Sequence, residues 1–194
     1  QMNAYILSLD SLSIYKEIDI VSAKPTFEER EGIEHFGVDY LYPNESFDVT
    51  TFIKLYHEVY TACKQEEKNL VIVGGTSFYL KMLIEGISEL PSITTETKEK
   101  TQRYLCDLPK TYAWLYKLDP TYMKKIEAND PYRIEKALHI YLQTGLIPTA
   151  YFGQFPPKPT VTTPLPIYQI DIDRAKLRER IALRTDIMIK DGLI

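Results

Sequence analysis

Two short polar clusters in this chain stand at the ends of apolar runs. The run "AYILSL" stops at Asp10, and the run "LVIV" stops at Gly74, Gly75 and Thr76. A carboxylate can take a proton from a substrate, and a helix start with a hydroxyl and free N–H groups favours an anion. Both clusters are also typical of ordinary turns and helix caps, so a purely structural role remains the alternative.

Two arginines form a third candidate. Arg180 and Arg184 are one turn apart on a predicted helix, so their side chains share one side. Permanently charged guanidinium groups that point the same way suit a phosphate or pyrophosphate, although solvated surface arginines are the alternative. A Gly-x-x-x-x-Gly-Lys-Ser/Thr loop, which would cradle phosphates, does not occur in these 194 residues.

The elements that must position these residues have an α/β pattern. A short buried strand is predicted from Ala4 to Leu9, and a helix capped by Asp48 runs to about Lys64. A second strand over 70–73 leads into a helix that stops at Gly86. Strand and helix alternate, which predicts a parallel sheet with ligands beyond the carboxyl ends of its strands.

The second half of the chain has a different character. Residues 90–164 read as a helical insertion, in which Asp119-Pro120 and Asp130-Pro131 start new helices. The segment 147–166 holds six prolines and is predicted to be an extended return connection. A strand pattern resumes over 166–172, and Asp173 caps a last helix, so residues 1–89 and 165–194 are predicted to form one α/β core.

Composition and charge narrow the class of protein. The net charge of −4 is unevenly spread: residues 1–95 carry 7 Lys/Arg and 15 Asp/Glu, whereas residues 96–136 carry 9 and 7. An acidic total argues against non-specific nucleic-acid binding over the whole surface but allows a local basic face. We expect a cytoplasmic protein without a membrane partner, because no run approaches the ~18 apolar residues of a membrane helix. The two cysteines form no Cys-x-x-Cys pair.

Five segments, in order, resemble the signature segments of the tRNA dimethylallyltransferases, the IPP transferase family. They are "SLDSLSIYKEIDIVSAKPT", "HFGVDYLYPNESFDVTTF", "LVIVGGTSFYLKMLIEG", "ANDPYRIEKALHIYLQTG" and "LRERIALRTDIMIKDGL". The likeness covers essentially the whole chain. It implies a P-loop, kinase-like parallel sheet core with an inserted helical domain that grips the anticodon stem-loop of tRNA.

The resemblance also implies a reaction. A dimethylallyl group would pass from dimethylallyl diphosphate to N6 of a flipped-out adenosine 3′ of the anticodon, with Mg²⁺ beside the pyrophosphate and the protein acting as a monomer. Asp10 matches the family's general base, Thr76 a threonine near the target adenosine, and Arg184 the pyrophosphate-binding arginine, supported by Arg180. The positions that match tRNA-contacting stretches are Ser11, Leu12, Ser13, Lys98, Tyr132, Arg133, Ile134, Glu135 and Lys136.

The family pattern extends beyond both ends of this sequence. Its members carry a phosphate-binding loop ahead of the position of Gln1 and further helices after that of Ile194, so we expect this chain to be an internal part of such an enzyme. Two alternatives remain open at this point. One is a relative of P-loop small-molecule kinases, in which Asp10 would activate a hydroxyl for phosphoryl transfer, and the other is a non-catalytic RNA-binding protein.

Overall fold

A three-stranded parallel sheet forms the centre of the first half of the chain. The computed structural model describes residues 3–194 and places β1 (Ala4–Ser8) between β2 (His35–Phe36) and β3 (Asn69–Val73). β1 runs parallel to both neighbours, with Ile6 opposite His35 on one side and Val71 on the other. The predicted α/β class with a parallel sheet is confirmed, although the two-residue strand β2 was not foreseen.

Three helices accompany the sheet: α1 (Asp19–Ser22), α2 (Val49–Gln65) and α3 (Ser77–Glu85). α2 starts where the sequence predicts, because the Asp48 carboxylate accepts hydrogen bonds from the Thr50 and Thr51 N–H groups, each at 2.9 Å. α3 ends before Gly86, which adopts a positive φ of 82°. Both predicted helix ends are confirmed.

The sheet, α2 and α3 share one hydrophobic core. Leu7 on β1, Phe52 on α2 and Leu83 on α3 are each fully buried, and the Phe52 ring stacks on that of Tyr79 at 5.2 Å. Contacts divide the chain into two compact units, one made of the residues up to Ile84 together with Thr160–Ile194, the other of Glu85–Pro159. This core belongs to the first unit, and it fixes the carboxyl ends of the strands.

The second unit is helical. Its elements are α4 (Thr95–Leu105), α5 (Leu108–Leu118), α6 (Pro120–Met123), α7 (Pro131–Thr144) and α8 (Pro148–Gln154). Both Asp-Pro pairs start helices, as predicted. The prediction that 147–166 is extended throughout is wrong, because Pro148 occupies the first turn of α8, where a proline fits a helix. The core of this unit includes the fully buried side chains of Met123, Ile134 and Leu138.

Asp119 ties α6 to α8. Its side chain is 3% exposed and accepts hydrogen bonds from the Tyr122 N–H at 3.0 Å, the Thr149 N–H at 2.7 Å and the Thr149 hydroxyl at 2.7 Å. Burial raises the pKa of Asp119, but these hydrogen bonds outweigh burial and bring it below its ordinary value. The carboxylate therefore caps one helix and holds the first turn of another.

The last part of the chain departs from the prediction. Residues 166–172 form no strand, and the Tyr168 and Ile170 side chains are almost fully exposed. A strand needs hydrogen bonds to a neighbouring strand, and no described segment offers them here. α9 (Arg174–Lys190) begins after Asp173 as predicted, but none of its residues is buried. Among the helices that the structure describes, none is long and apolar enough to cross a membrane.

Candidate active site at the ends of two strands

The carboxyl ends of β1 and β3 are joined directly by backbone hydrogen bonds. The Leu9 N–H donates to the Val73 carbonyl at 2.7 Å, and the Leu9 carbonyl accepts from the Thr76 N–H at 3.1 Å. Asp10 follows Leu9, and Thr76 precedes the first residue of α3. The two polar clusters that the sequence singled out therefore lie together at one edge of the sheet. Thr76 donates a hydrogen bond to Leu9, and Asp10 is the residue after Leu9.

Gly74 makes this close approach possible. Its φ is 154°, and a Cβ atom at this position would lie 2.5 Å from both the carbonyl carbon and the carbonyl oxygen of Leu9. No side chain can be accommodated at that distance from a backbone without moving it. The next residue, Gly75, has no atom within 4 Å of its equivalent position, so only the first glycine of the pair is sterically required.

The Asp10 carboxylate is held on one side and open on the other. Its Oδ1 atom accepts hydrogen bonds from the Leu12 N–H at 2.7 Å and the Ser13 N–H at 3.2 Å. Its Oδ2 atom receives no hydrogen bond from any residue between 3 and 194. A half-buried carboxylate with one oxygen fixed by the backbone and the other available can accept a proton from a bound substrate.

The three residues after Asp10 have different environments. Ser11 is exposed, and the Leu12 side chain is 46% exposed, so both are available to a ligand. Ser13 is 4% exposed, and its hydroxyl lies 2.8 Å from that of Ser8 on β1. Ser13 thus holds the loop against the strand, and a direct contact between its side chain and a substrate would need this loop to open.

Lys24 supports the same loop and was not predicted to do so. Its Nζ donates to the Tyr15 carbonyl at 2.8 Å and forms ion pairs with Asp19 at 2.5 Å and with Asp39. Burial lowers the pKa of Lys24, but the two carboxylates outweigh burial and raise it above its ordinary value. The segment "DIVSAKP" contains both Asp19 and Lys24, five residues apart, so the sequence could have indicated this ion pair. The second partner, Asp39, is distant in sequence, so its pairing with Lys24 could not be read from the segment.

Asp39 completes the cluster on the other side. Its carboxylate also pairs with Arg30 at 2.9 Å. Burial raises the pKa of Asp39, but Lys24 and Arg30 outweigh burial and hold it below its ordinary value. The segment after Asp10 is therefore fixed by two cations and two carboxylates.

The predicted tRNA-contacting residues Lys98 and Tyr132 to Lys136 lie in the helical unit, on α4 and α7. Lys98, Tyr132 and Arg133 are exposed, and the Lys136 Nζ lies 5.1 Å from the centre of the Tyr132 ring. The Ile134 side chain is fully buried in the core of this unit, so its side chain is not available to a ligand.

Glu135 faces inward along α7 toward His139. Its Oε1 atom lies 3.7 Å from the His139 Nε2 atom, which is buried and has no hydrogen-bond partner among the described residues. Burial is the main influence on the pKa of His139 and lowers it; the nearby Lys136 and Lys98 lower it further, and Glu135 raises it. The net effect is a pKa below the ordinary value. Glu135 thus interacts with the interior of the helical unit, whereas Arg133 and Lys136 line a cavity of that unit.

Arg180 and Arg184 lie on α9 as predicted, both exposed and one turn apart. No hydrogen bond or ion pair joins either of them to another described residue. The structure therefore brings together Asp10 and Thr76 but does not place the arginines against them.

A protein-only metal site is not formed by residues 3–194. They contain no group of three or more His, Cys, Asp or Glu side chains able to hold an ion. Mg²⁺ commonly keeps several waters and binds through one or two carboxylates together with substrate phosphates. The residues described therefore form no protein-only magnesium site, and a magnesium ion here would depend on oxygens of a bound diphosphate.

The chain matches a known family and close relatives. The family described as IPP transferase matches residues 13–194. A protein from a Sulfurovum species named tRNA dimethylallyltransferase is 64% identical over 193 residues, covering 100% of this chain and 64% of the relative. A protein of the same name from Sulfurimonas denitrificans is 53% identical over 194 residues, covering 100% and 65%. The chain thus spans slightly less than two thirds of these relatives.

Solved structures agree with the fold. A eukaryotic dimethylallyltransferase acting on tRNA superposes with a TM-score of 0.79 at 24% identity, covering 98% of this chain and 48% of that one. A tRNA isopentenylpyrophosphate transferase from Staphylococcus epidermidis superposes with a TM-score of 0.54 at 29% identity, covering 99% and 63%. From the family match and these relatives we conclude that the chain belongs to the IPP transferase family.

Proposed function

We propose that this chain is the part of a tRNA dimethylallyltransferase that carries the general base. The reaction is transfer of a dimethylallyl group from dimethylallyl diphosphate to N6 of the adenosine 3′ of the anticodon. The observation that carries the proposal is the 64% identity to a protein of that name over the whole chain. The geometry of Asp10 supports it, because one carboxylate oxygen is free at the ligand-binding edge of a parallel sheet.

Asp10 has a defined task in this reaction. The exocyclic amine of adenine is a poor nucleophile because its lone pair is delocalised into the ring. As N6 forms a bond to the allylic carbon, the bond from that carbon to the diphosphate oxygen breaks and the pyrophosphate leaves with the electron pair. The surplus N6 proton passes to Asp10 Oδ2, while the Leu12 and Ser13 N–H groups keep Oδ1 in place.

The leaving pyrophosphate needs positive charge. Arg184, with Arg180 one turn away, supplies two guanidinium groups that can each donate parallel hydrogen bonds to phosphate oxygens. Mg²⁺, when bound to the diphosphate, would add charge neutralisation there. The exposure of both arginines on α9 is compatible with this role, since nothing in residues 3–194 occupies them.

Two surfaces are assigned to tRNA. Thr76, Ser11 and Leu12 would contact the target nucleotide and its neighbours, because they surround Asp10 in the chain or at the shared strand edge. The helical unit would hold the anticodon stem-loop through Lys98, Tyr132, Arg133 and Lys136. The exposed Lys98 and Arg133 and the half-buried Lys136 supply cations that suit phosphates. The cytoplasmic location and the monomeric state remain predictions.

The function is tested by product identification. The full protein is incubated with unmodified tRNA and dimethylallyl diphosphate, and the nucleosides are then separated and weighed by mass spectrometry. We expect a new adenosine that carries one dimethylallyl group. Phosphorylation of a small alcohol from ATP, with no prenylated nucleoside, would show instead that the kinase alternative is right. Tight tRNA binding with neither product would favour a non-catalytic RNA-binding protein.

A further inference from the structure

A buried cationic side chain lies beside the loop that carries Asp10, and the proposed reaction gives it no task. The Lys24 side chain is 5% exposed, although lysine is rarely buried because its ammonium group loses hydration there. The carboxylates of Asp19 and Asp39 compensate for this loss. Buried ion pairs add little net stability as a rule, so stability alone does not account for this arrangement.

Two backbone segments run side by side next to this ammonium group. They are residues 13–16, which follow Asp10 in the chain, and residues 39–41. The Asp39 N–H donates to the Ser13 carbonyl at 3.1 Å. Further backbone hydrogen bonds of 2.7 to 3.0 Å continue this pairing. The loop after Asp10 is therefore fixed against a segment that is distant in sequence.

Lys24 holds both segments at once. Its Nζ donates to the Tyr15 carbonyl at 2.8 Å on the first segment and pairs with the Asp39 carboxylate on the second. Ser13 links this pair to Asp10, because its carbonyl accepts from the Asp39 N–H and its own N–H donates to Asp10 Oδ1 at 3.2 Å. A short chain of contacts thus joins the ammonium group of Lys24 to the carboxylate of Asp10.

The backbone conformation at Asp39 depends on these contacts. Asp39 adopts a φ of 56°, and Ala23, next to Lys24, a φ of 45°. Residues with a Cβ atom rarely adopt this left-handed conformation, which persists only where the surrounding structure holds it. The Asp39 side chain is held by its ion pairs with Lys24 and Arg30. Loss of the Lys24 ammonium group would release one of these contacts and loosen the donor to the Ser13 carbonyl.

We infer that Lys24 is a positioning residue for Asp10, because it fixes the loop in which one Asp10 oxygen is held and the other faces a substrate. The inference rests on the proposed function, since it gives Lys24 a part only in proton transfer to Asp10. Lys24 itself touches neither substrate, because its Nζ is occupied by a carbonyl and two carboxylates. A reacting group displaced by about 1 Å can slow a reaction by about 10²-fold. Lys24 should therefore govern the rate of transfer and leave substrate affinity unchanged.

The first measurement compares Lys24→Met with Lys16→Met in the full protein. Methionine retains most of the length of lysine without its charge, and Lys16 lies in the same loop with its Nζ 4.3 Å from the centre of the exposed Tyr42 ring. Single-turnover transfer at saturating substrates should fall by about 10²-fold in folded Lys24→Met and stay near the wild-type rate in Lys16→Met. Equal rates for the two variants would overturn the inference. Weaker diphosphate binding by Lys24→Met at an unchanged transfer rate would also overturn it.

A double-mutant cycle separates positioning from a general structural role. Lys24→Met is combined with Asp10→Asn, in which no proton acceptor remains to be positioned. Residues that act through one another are not additive, so Lys24→Met should slow transfer when Asp10 is present and have little further effect beside Asp10→Asn. The same loss in both backgrounds would show that Lys24 acts through something other than Asp10 and would refute the inference.

A second pair of variants decides the question if Lys24→Met is unfolded by circular dichroism. Asp39→Asn keeps the size of the side chain and the backbone N–H that donates to Ser13, but it removes the charge that pairs with Lys24. Asp19→Asn removes the other charge, which is 73% exposed and therefore screened by water. Asp39→Asn should slow transfer more than Asp19→Asn does, and equal rates would contradict the role of Lys24.

Hydrogen exchange tests the same connection without any chemistry. The Leu12 and Ser13 N–H groups, which hold Asp10 Oδ1, should exchange faster in Lys24→Met than in the wild type. The Thr50 and Thr51 N–H groups, which another carboxylate holds in the same compact unit, should change little. Unchanged exchange at Leu12 and Ser13 would refute the inference, whereas a wild type without prenyl transfer would count against the proposed function and leave this reading unaffected.

Discussion

Replacing Gly74 by alanine should disrupt the junction of the two strand ends. An alanine Cβ would lie 2.5 Å from the Leu9 carbonyl carbon and oxygen and 2.9 Å from its Cα atom. All three atoms are backbone, and Leu9 is itself held by hydrogen bonds to Val73 and Thr76. Neither side of the contact can move without breaking one of these bonds.

The expected loss in the free energy of unfolding has two causes, backbone strain and overpacking. A residue with a side chain forced to a φ of 154° costs about 1 to 3 kcal/mol, and overpacking against a fixed neighbour typically costs another 1 to 3 kcal/mol. We therefore expect Gly74→Ala to lower the free energy of unfolding by at least about 2 kcal/mol. In a chain of this length each kcal/mol corresponds to about 2 to 4 °C in Tm, so Tm should fall by about 4 °C or more.

Gly75→Ala is the matched control for this prediction. No atom lies within 4 Å of the position of its Cβ, so its free energy of unfolding should stay within about 0.5 kcal/mol of the wild type. Both variants are measured by urea unfolding and by thermal melting, and both are assayed for prenyl transfer. Equal stability of the two variants would show that the close approach at Leu9 does not hold in solution.

Two further predictions concern the helical unit. Asp119→Ala should lower the free energy of unfolding, measured in urea, by about 2 to 4 kcal/mol, because it removes a helix cap and leaves the Thr149 N–H without its acceptor. The control, Asp107→Ala, removes a single exposed cap bond and should lower the free energy of unfolding by about 1 kcal/mol. Equal losses in the two variants would contradict this role of Asp119. Burial holds the pKa of His139 below its ordinary value of 6.5, so the unfolded chain takes up a proton first as pH falls. The wild type should therefore lose stability relative to His139→Leu as pH drops below about 6.5, and a stability difference that is constant between pH 8 and 5 would refute this assignment.

Much of the fold was predictable because its signals are local. Asp48 and Asp173 cap helices whose first turns follow them directly, and each Asp-Pro pair fixes a helix start within two residues. The strand β1 was recognisable as an apolar run buried between two neighbours. In each case the information lies within a few residues of the element that it determines.

The elements that sequence reasoning missed depend on distant partners. β2 has two residues, too few for any periodicity, and it exists because His35 and Phe36 pair with β1. Residues 166–172 have a strand-like pattern but no strand beside them in the described chain. α8 was hidden by its own prolines, although Pro148 at a first turn is compatible with a helix.

The candidate site also combines features with local sequence signals and features that depend on residues distant in sequence. The position of Asp10 at a strand end was predictable from the apolar run before it, whereas its role as general base follows from the family resemblance and stays a prediction. The free Oδ2 atom, the steric requirement for Gly74 and the tie between Lys24 and the Tyr15 carbonyl all arise from atoms that are far apart in sequence.

The most direct test of the account is prenyl transfer by Asp10→Asn. Asparagine keeps the size of the side chain and can still accept hydrogen bonds from the Leu12 and Ser13 N–H groups, but it cannot take up the N6 proton. We expect single-turnover transfer to tRNA to fall by about 10²- to 10⁴-fold while tRNA affinity stays near that of the wild type. Transfer by Asp10→Asn at the wild-type rate would contradict the claim that Asp10 is the general base.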